Sequence, residues 1–185
     1  MCIRDSDDPF KYCSKEREKN NIMTNDIKIA SMEVAKRSFV LLKNDKDILP
    51  LKKNYKKIAI IGPLANSSID PIGEWSAMGD SNDVITVLQG FKNYVDKKTE
   101  ILYSEGCKIS DKSTAGFKDA LKIAKKSDVI ILCIGEGRNM SGEAYSRSSL
   151  DLPGVQEDLA KELLKTGKPI AVSYTHLTLP TSDLV

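Results

Sequence analysis

Two glycine-punctuated stretches carry the side chains best suited to chemistry. "GEGRNMSGEAYSRSSLDLPG" holds Glu136, Glu143 and Arg147 among small residues, so its backbone can lie close to a ligand. A carboxylate raised on such a loop acts as proton donor or acceptor. Arg147, shortly after Glu143, either orients that carboxylate or holds a substrate hydroxyl, and an adjacent cation favours the ionised form. The plain alternative is that these glutamates are only solvated loop residues. "GPLANSSIDPIGEWSAMGDS" holds the sole tryptophan, Trp75, beside Gly73 and Gly79. A tryptophan in a polar, glycine-flanked loop suits a contact surface, and sugars stack their C–H faces on such rings; burial in a core is the competing reading.

Other chemistries find no footing. Neither "GPLANS" nor "GEGRNMSG" matches a P-loop, and the second offers only part of a dinucleotide pattern with no helix opening on it. The only histidine, His176, lies in the terminal stretch 172–185, which is expected to be foreign to the domain, so no Ser-His-Asp or Cys-His set forms. Cys13, Cys107 and Cys133 are too widely spaced for a disulfide framework or a zinc site. Cys133, inside an apolar run, is expected to be buried and inert. No cofactor and no metal are expected.

The elements that must position the two loops alternate between strand and helix. "KKIAIIGP" and "DVIILCIGEG" are short apolar runs closed by glycine, as expected of strands buried on both faces of a parallel sheet. "TEILYSEG" predicts a strand, and "KPIAV" begins another. Helices are expected at "NDVITVLQGFKNYV" and at "TAGFKDALKIAKKS", where Phe117, Ala120, Leu121 and Ala124 share a face. A further helix is expected at "PGVQEDLAKELLKTG", with Pro153 near its first turn and Gly167 as its stop. Upstream, Ile27, Ala30, Val34, Ser38 and Leu41 fall at helical spacing, with a charged, aperiodic linker before them. The pattern argues for an α/β layer architecture with a mostly parallel sheet. Ligands gather beyond the carboxyl ends of such strands, where both polar loops begin.

Composition narrows the partners. The 185 residues carry 28 Lys+Arg against 26 Asp+Glu, and the lysines are spread without the aromatic interleaving that stacks bases, so no nucleic acid is expected. The longest aliphatic stretch, "VIILCI", falls far short of the roughly 20 apolar residues of a spanning helix, so no membrane segment is expected.

The two ends of the chain are related through DNA. Met1 to Ser6 can be encoded ATG TGT ATA AGA GAC AGC, whose complementary strand reads GCT GTC TCT TAT ACA CAT, or Ala171 to His176. The segment resembles a transposase adapter of sequencing libraries, and Leu177 to Val185 looks like read-through into it. Residues 1–6 and 172–185 are therefore expected to be adapter-derived, with 7–25 as an inter-domain linker and 26–171 as a partial domain.

Several separated motifs then occur in a familiar order. "VAKRSFVLLKNDKDILPLKKNYKKIAIIGPLA", "GEWSAMG" and "SDVIILCIGEGRNMSGEAYSRSSLDLPGVQEDLAKELLKTGKPI" together resemble glycoside hydrolase family 3, and within it the bacterial periplasmic-type β-glucosidases. The resemblance implies an amino-terminal (β/α)8-type barrel followed by an (α/β)6-sandwich domain, with the active site between them. This chain would hold the linker and an incomplete sandwich. By motif position Glu143 matches the general acid/base and Trp75 an aromatic residue lining the aglycone side. Arg147 stands where the family often has an Asp-Arg pair, with Ser146 replacing the aspartate.

The implied activity is retaining, exo-acting hydrolysis of terminal β-D-glucosyl residues from oligosaccharides or aryl glucosides. The nucleophile would lie on the missing barrel, so this chain alone is expected to be inactive. A periplasmic or secreted parent is implied. The alternatives are a stand-alone carbohydrate-binding α/β module and a nucleotide-binding α/β domain.

Overall fold

The computed structural model describes residues 8, 10–52 and 54–175. Two compact units divide between Leu42 and Lys43. The first contains helix α1 (Lys15–Asn21) and helix α2 (Asn25–Ser38), and no residue of either is buried. Helix α1 falls inside the stretch expected to be a linker. It has no apolar stripe to announce it; Ser14 caps it by accepting from the Arg17 amide at 3.1 Å, and Glu16 and Glu18 complement the helix dipole in the first turn. Helix α2 carries the expected Ile27, Ala30, Val34 and Ser38 but ends before Leu41.

The second unit alternates strand and helix: β1 (Lys57–Ile61), α3 (Val87–Tyr94), β2 (Glu100–Ser104), α4 (Phe117–Lys126), β3 (Val129–Gly135), α5 (Gln156–Leu164) and β4 (Ile170–Thr175). Among the described residues the strands form one four-stranded sheet in the order β2-β1-β3-β4. Every pairing is parallel, with Ile58 opposite Ile101 and Val129, and Ile130 opposite Ile170. Strand β4 thus continues past Ala171 to Thr175, opposite Gly135. Residues 1–6 and 176–185, expected to be adapter-derived, lie outside the described residues.

The period-2 alternation of the two central strands builds two cores. Ala59, Ile61, Ile130, Leu132 and Ile134 face one side, packed with Ala120 and Ala124 of α4 and Leu159 and Leu163 of α5. Ile58, Ile60, Val129, Ile131 and Cys133 face the other, packed with Leu88 and Phe91 of α3. Every residue of β3 is buried, as a central parallel strand requires. Burial pushes the Cys133 thiol up to about 12 and the Cys107 thiol to about 11, away from the reactive thiolate.

The helix expected from Asn82 onward begins later. Thr86 is its cap, accepting from the Gln89 amide at 3.1 Å, and a single 3-10 turn at Ser81–Asp83 precedes it. The intervening Val84 and Ile85 are β-branched, which disfavours helix, and the short hydroxyl of Thr86 supplies the missing acceptor. Helix α5 likewise starts at Gln156, with Pro153 in the turn before it.

Candidate active site at the carboxyl ends of β1 and β3

Strands β1 and β3 are neighbours, yet their outgoing connections diverge. The chain leaving β1 returns through α3 on one face, and the chain leaving β3 returns through α5 on the other. The divergence opens a crevice at the carboxyl ends, the usual ligand site of an open α/β sheet. The two polar loops singled out in the sequence, residues 62–81 and 135–154, leave the sheet there.

The first loop turns sharply at once. Gly62 has φ +125°, and a Cβ there would lie 2.0 Å from the Cys133 carbonyl oxygen, so only glycine lets the chain cross β3 at this distance. The loop then reaches the second one at Asp70, whose Oδ1 accepts from the Arg138 amide at 2.9 Å. Ser67 Oγ also hydrogen-bonds the Asp70 carboxylate.

The second loop is fixed where it leaves β3. Gln156 is fully buried; its Nε2 donates to the carbonyls of Gly135 and Ile109, both at 2.8 Å, and its Oε1 accepts from the Gly135 amide at 2.9 Å. One side chain thereby satisfies three backbone groups, two at the end of β3 and one in the connection after β2. Sequence reasoning passed over Gln156. Its signal was a polar residue on the face of α5 that also carries Leu159, Ala160 and Leu163, all buried.

Glu136 follows at once, only 6% exposed, and its carboxylate pairs with the Arg147 guanidinium. The other arm of that guanidinium, Nη2, donates to the Asp151 carbonyl at 2.7 Å. Among the described residues the ion pair of Arg147 is therefore with Glu136 and not with Glu143.

Glu143 itself is exposed at the loop tip, between Gly142 (φ +139°) and Ala144 (φ +64°). Trp75 is 73% exposed, so its ring is free to meet a ligand and takes no part in a core. The residues just before these two touch: a Cβ on Gly142 would sit 3.1 Å from Glu74 Cγ. The fold thus brings the tip bearing Glu143 against the turn bearing Trp75. Both the Glu143 carboxylate and the Trp75 ring are exposed to solvent on these adjoining turns. A separate depression of about 460 Å³ along the edge strand β2 is lined by Lys57, Glu100, Tyr103, Asp119 and Lys122 among others, and shares no residue with either loop.

Comparison with known proteins gives a consistent match. A sequence model of the "Glycosyl hydrolase family 3 C-terminal domain" matches residues 39–180. The "Periplasmic beta-glucosidase" of Salmonella typhimurium is 41% identical over 160 residues, covering 76% of this chain and 21% of the relative. The "Beta-xylosidase" of Formosa agariphila is 37% identical over 147 residues, covering 77% of this chain and 20% of the relative. A solved beta-glucosidase from Listeria innocua superposes with a TM-score of 0.80 at 29% identity, over 90% of this chain and 22% of that one. The chain therefore spans about a fifth of the length of these relatives. With the two loops at a parallel-sheet switch point, as the fold requires, and the family match extending over most of the sequence, the chain belongs to glycosyl hydrolase family 3, in its C-terminal domain.

Proposed function

We propose that the full protein carrying this chain is a retaining, exo-acting β-glucosidase, in which Glu143 is the general acid/base and Trp75 lines the aglycone side. Arg147 would serve the same substrate-facing loop. In this reading residues 26–171 are a partial C-terminal domain, 7–25 link it to an amino-terminal barrel, and 1–6 and 172–185 are adapter-derived. The observation that carries the reading is the approach of Gly142 to Glu74, which puts the Glu143 tip and the Trp75 turn side by side. Retaining hydrolysis needs a carboxylate nucleophile and a second carboxyl roughly 5 Å from it that protonates the leaving oxygen and then activates water. An exposed glutamate on a supported loop suits the second role once a domain bearing the nucleophile faces it. The chain alone is then inactive. The name of the Salmonella relative favours a periplasmic or secreted parent.

A second reading, β-xylosidase, is favoured by the Formosa relative. Relative kcat/KM on aryl β-glucosides and aryl β-xylosides of the full-length protein separates the two. The acid/base role is tested with Glu143→Ala. Its kcat/KM should fall about 10²–10⁴-fold on an unactivated β-glucoside and little on dinitrophenyl β-glucoside, whose leaving group needs no proton. Equal losses on both would remove Glu143 from that role. Trp75→Ala should mainly raise KM for a disaccharide, and an unchanged KM would count against stacking.

A further inference from the structure

We propose that the part-buried Glu136–Arg147 ion pair sets the position of Glu143, making both Glu136 and Arg147 positioning residues for the acid/base step; this rests on the glycosidase reading above. The loop has a fixed beginning and a fixed end. Gln156 holds Gly135, Asp70 holds the Arg138 amide, and the Arg147 guanidinium spans from the Glu136 carboxylate to the Asp151 carbonyl. One planar group therefore closes the loop across its base. A lysine ammonium is a compact point charge without the rigid planar fork that spans the two acceptors.

The tip needs that closure. Gly142 at φ +139° and Ala144 at φ +64° flank Glu143, and an alanine in the left-handed region is held there by its surroundings rather than by its own preference. Glu143 and its neighbours from Gly142 to Ser146 are exposed, so little packing from outside restrains them. Glu136, by contrast, is 6% exposed, and the Arg147 side chain 22%. Desolvating such a pair contributes little net stability, and fixing a geometry is the better account of its presence. The pair acts through the loop backbone, since Arg147 is committed to Glu136 and Asp151.

The test uses Glu136→Gln, Arg147→Met, the double variant and Arg147→Lys in the full-length protein. Either single variant with an unpaired buried charge is prone to misfold, whereas the double variant removes both charges together. In the double variant, kcat/KM on an unactivated β-glucoside should fall about 10–100-fold, the scale of a 1 Å misplacement. On dinitrophenyl β-glucoside it should stay within about threefold, with KM little changed, and added azide should speed turnover by attacking the glycosyl-enzyme in place of water, forming a glycosyl azide and releasing the carboxylate nucleophile without need of a base. Arg147→Lys should fall between wild type and the double variant. Wild-type kinetics in the double variant, or equal loss on both substrates, would overturn the proposal by reducing the pair to a structural role.

Hydrogen exchange on the 185-residue chain separates this proposal from the glycosidase reading. In the double variant, amides 140–146 should exchange about tenfold faster while those of β3 remain protected. Unchanged exchange at the tip overturns the positioning role whatever the enzyme's activity. If the tip loosens while Glu143→Ala shows no leaving-group dependence, the loop restraint stands and the acid/base reading fails.

Discussion

Asp70 Oδ1 accepts a hydrogen bond from the Arg138 amide at 2.9 Å, tying the loop after β1 to the loop after β3 across sixty-eight positions of sequence. A charged acceptor on a part-buried backbone donor is among the stronger neutral-to-ion hydrogen bonds. Asp70→Ala should therefore lower stability by about 1–3 kcal/mol. It should also speed tryptic cleavage after Arg138, because the freed segment fits a protease more readily. Urea unfolding and timed digestion read the two effects. An unchanged cleavage rate would mean that the tie does not restrain the second loop.

Gln156 answers to a different deficit. Replacing it with Leu keeps the volume but removes the side-chain hydrogen bonds of the Gly135 amide and of the carbonyls of Gly135 and Ile109. A buried backbone group left unsatisfied costs about 1–3 kcal/mol, so the urea midpoint should drop by far more than for a surface Gln→Leu change. A midpoint within error of wild type would show that water replaces the amide at the strand end.

Asp128 supplies a pH test. The backbone amides of Lys57 and Lys56 donate to its Oδ2 at 2.9 and 2.7 Å and hold its carboxyl below the ordinary value of 3.8. A carboxyl lowered on folding contributes stability that is present above its unfolded pKa and lost as pH falls through the folded value. The stability gap between wild type and Asp128→Asn should thus be full near neutrality and close in acid, below about pH 4. Urea midpoints measured from neutrality into acid check the sign. A gap independent of pH would mean that the amides prefer the side-chain oxygen irrespective of its charge.

Much of the scaffold was legible in the sequence. The runs of β1 and β3, bounded by Gly62 and Gly135, announced buried parallel strands, and the stripe through Phe117, Ala120 and Ala124 announced α4, because burial on a regular element leaves a period in the residues. The family resemblance read from the motifs around Trp75 and Glu143 is the family that the comparisons show. Helix α1 escaped, since a short helix held by a Ser14 cap and charge has no apolar period. The start of α3 moved to Val87 because a single cap at Thr86 outweighed the continuing apolar pattern.

Local chemistry is written along the chain and can be read from it: which segments are strands or helices, which face each buries, and which loops gather polar groups. The order β2-β1-β3-β4, the partners of Arg147 and the roles of Asp70 and Gln156 exist only once the chain is folded. Arg147 stands close to Glu143 in the chain, yet its guanidinium pairs with Glu136, where burial strengthens the attraction and the Asp151 carbonyl fills the second arm. Such choices depend on distance and solvent exposure in the folded chain, and sequence separation carries neither.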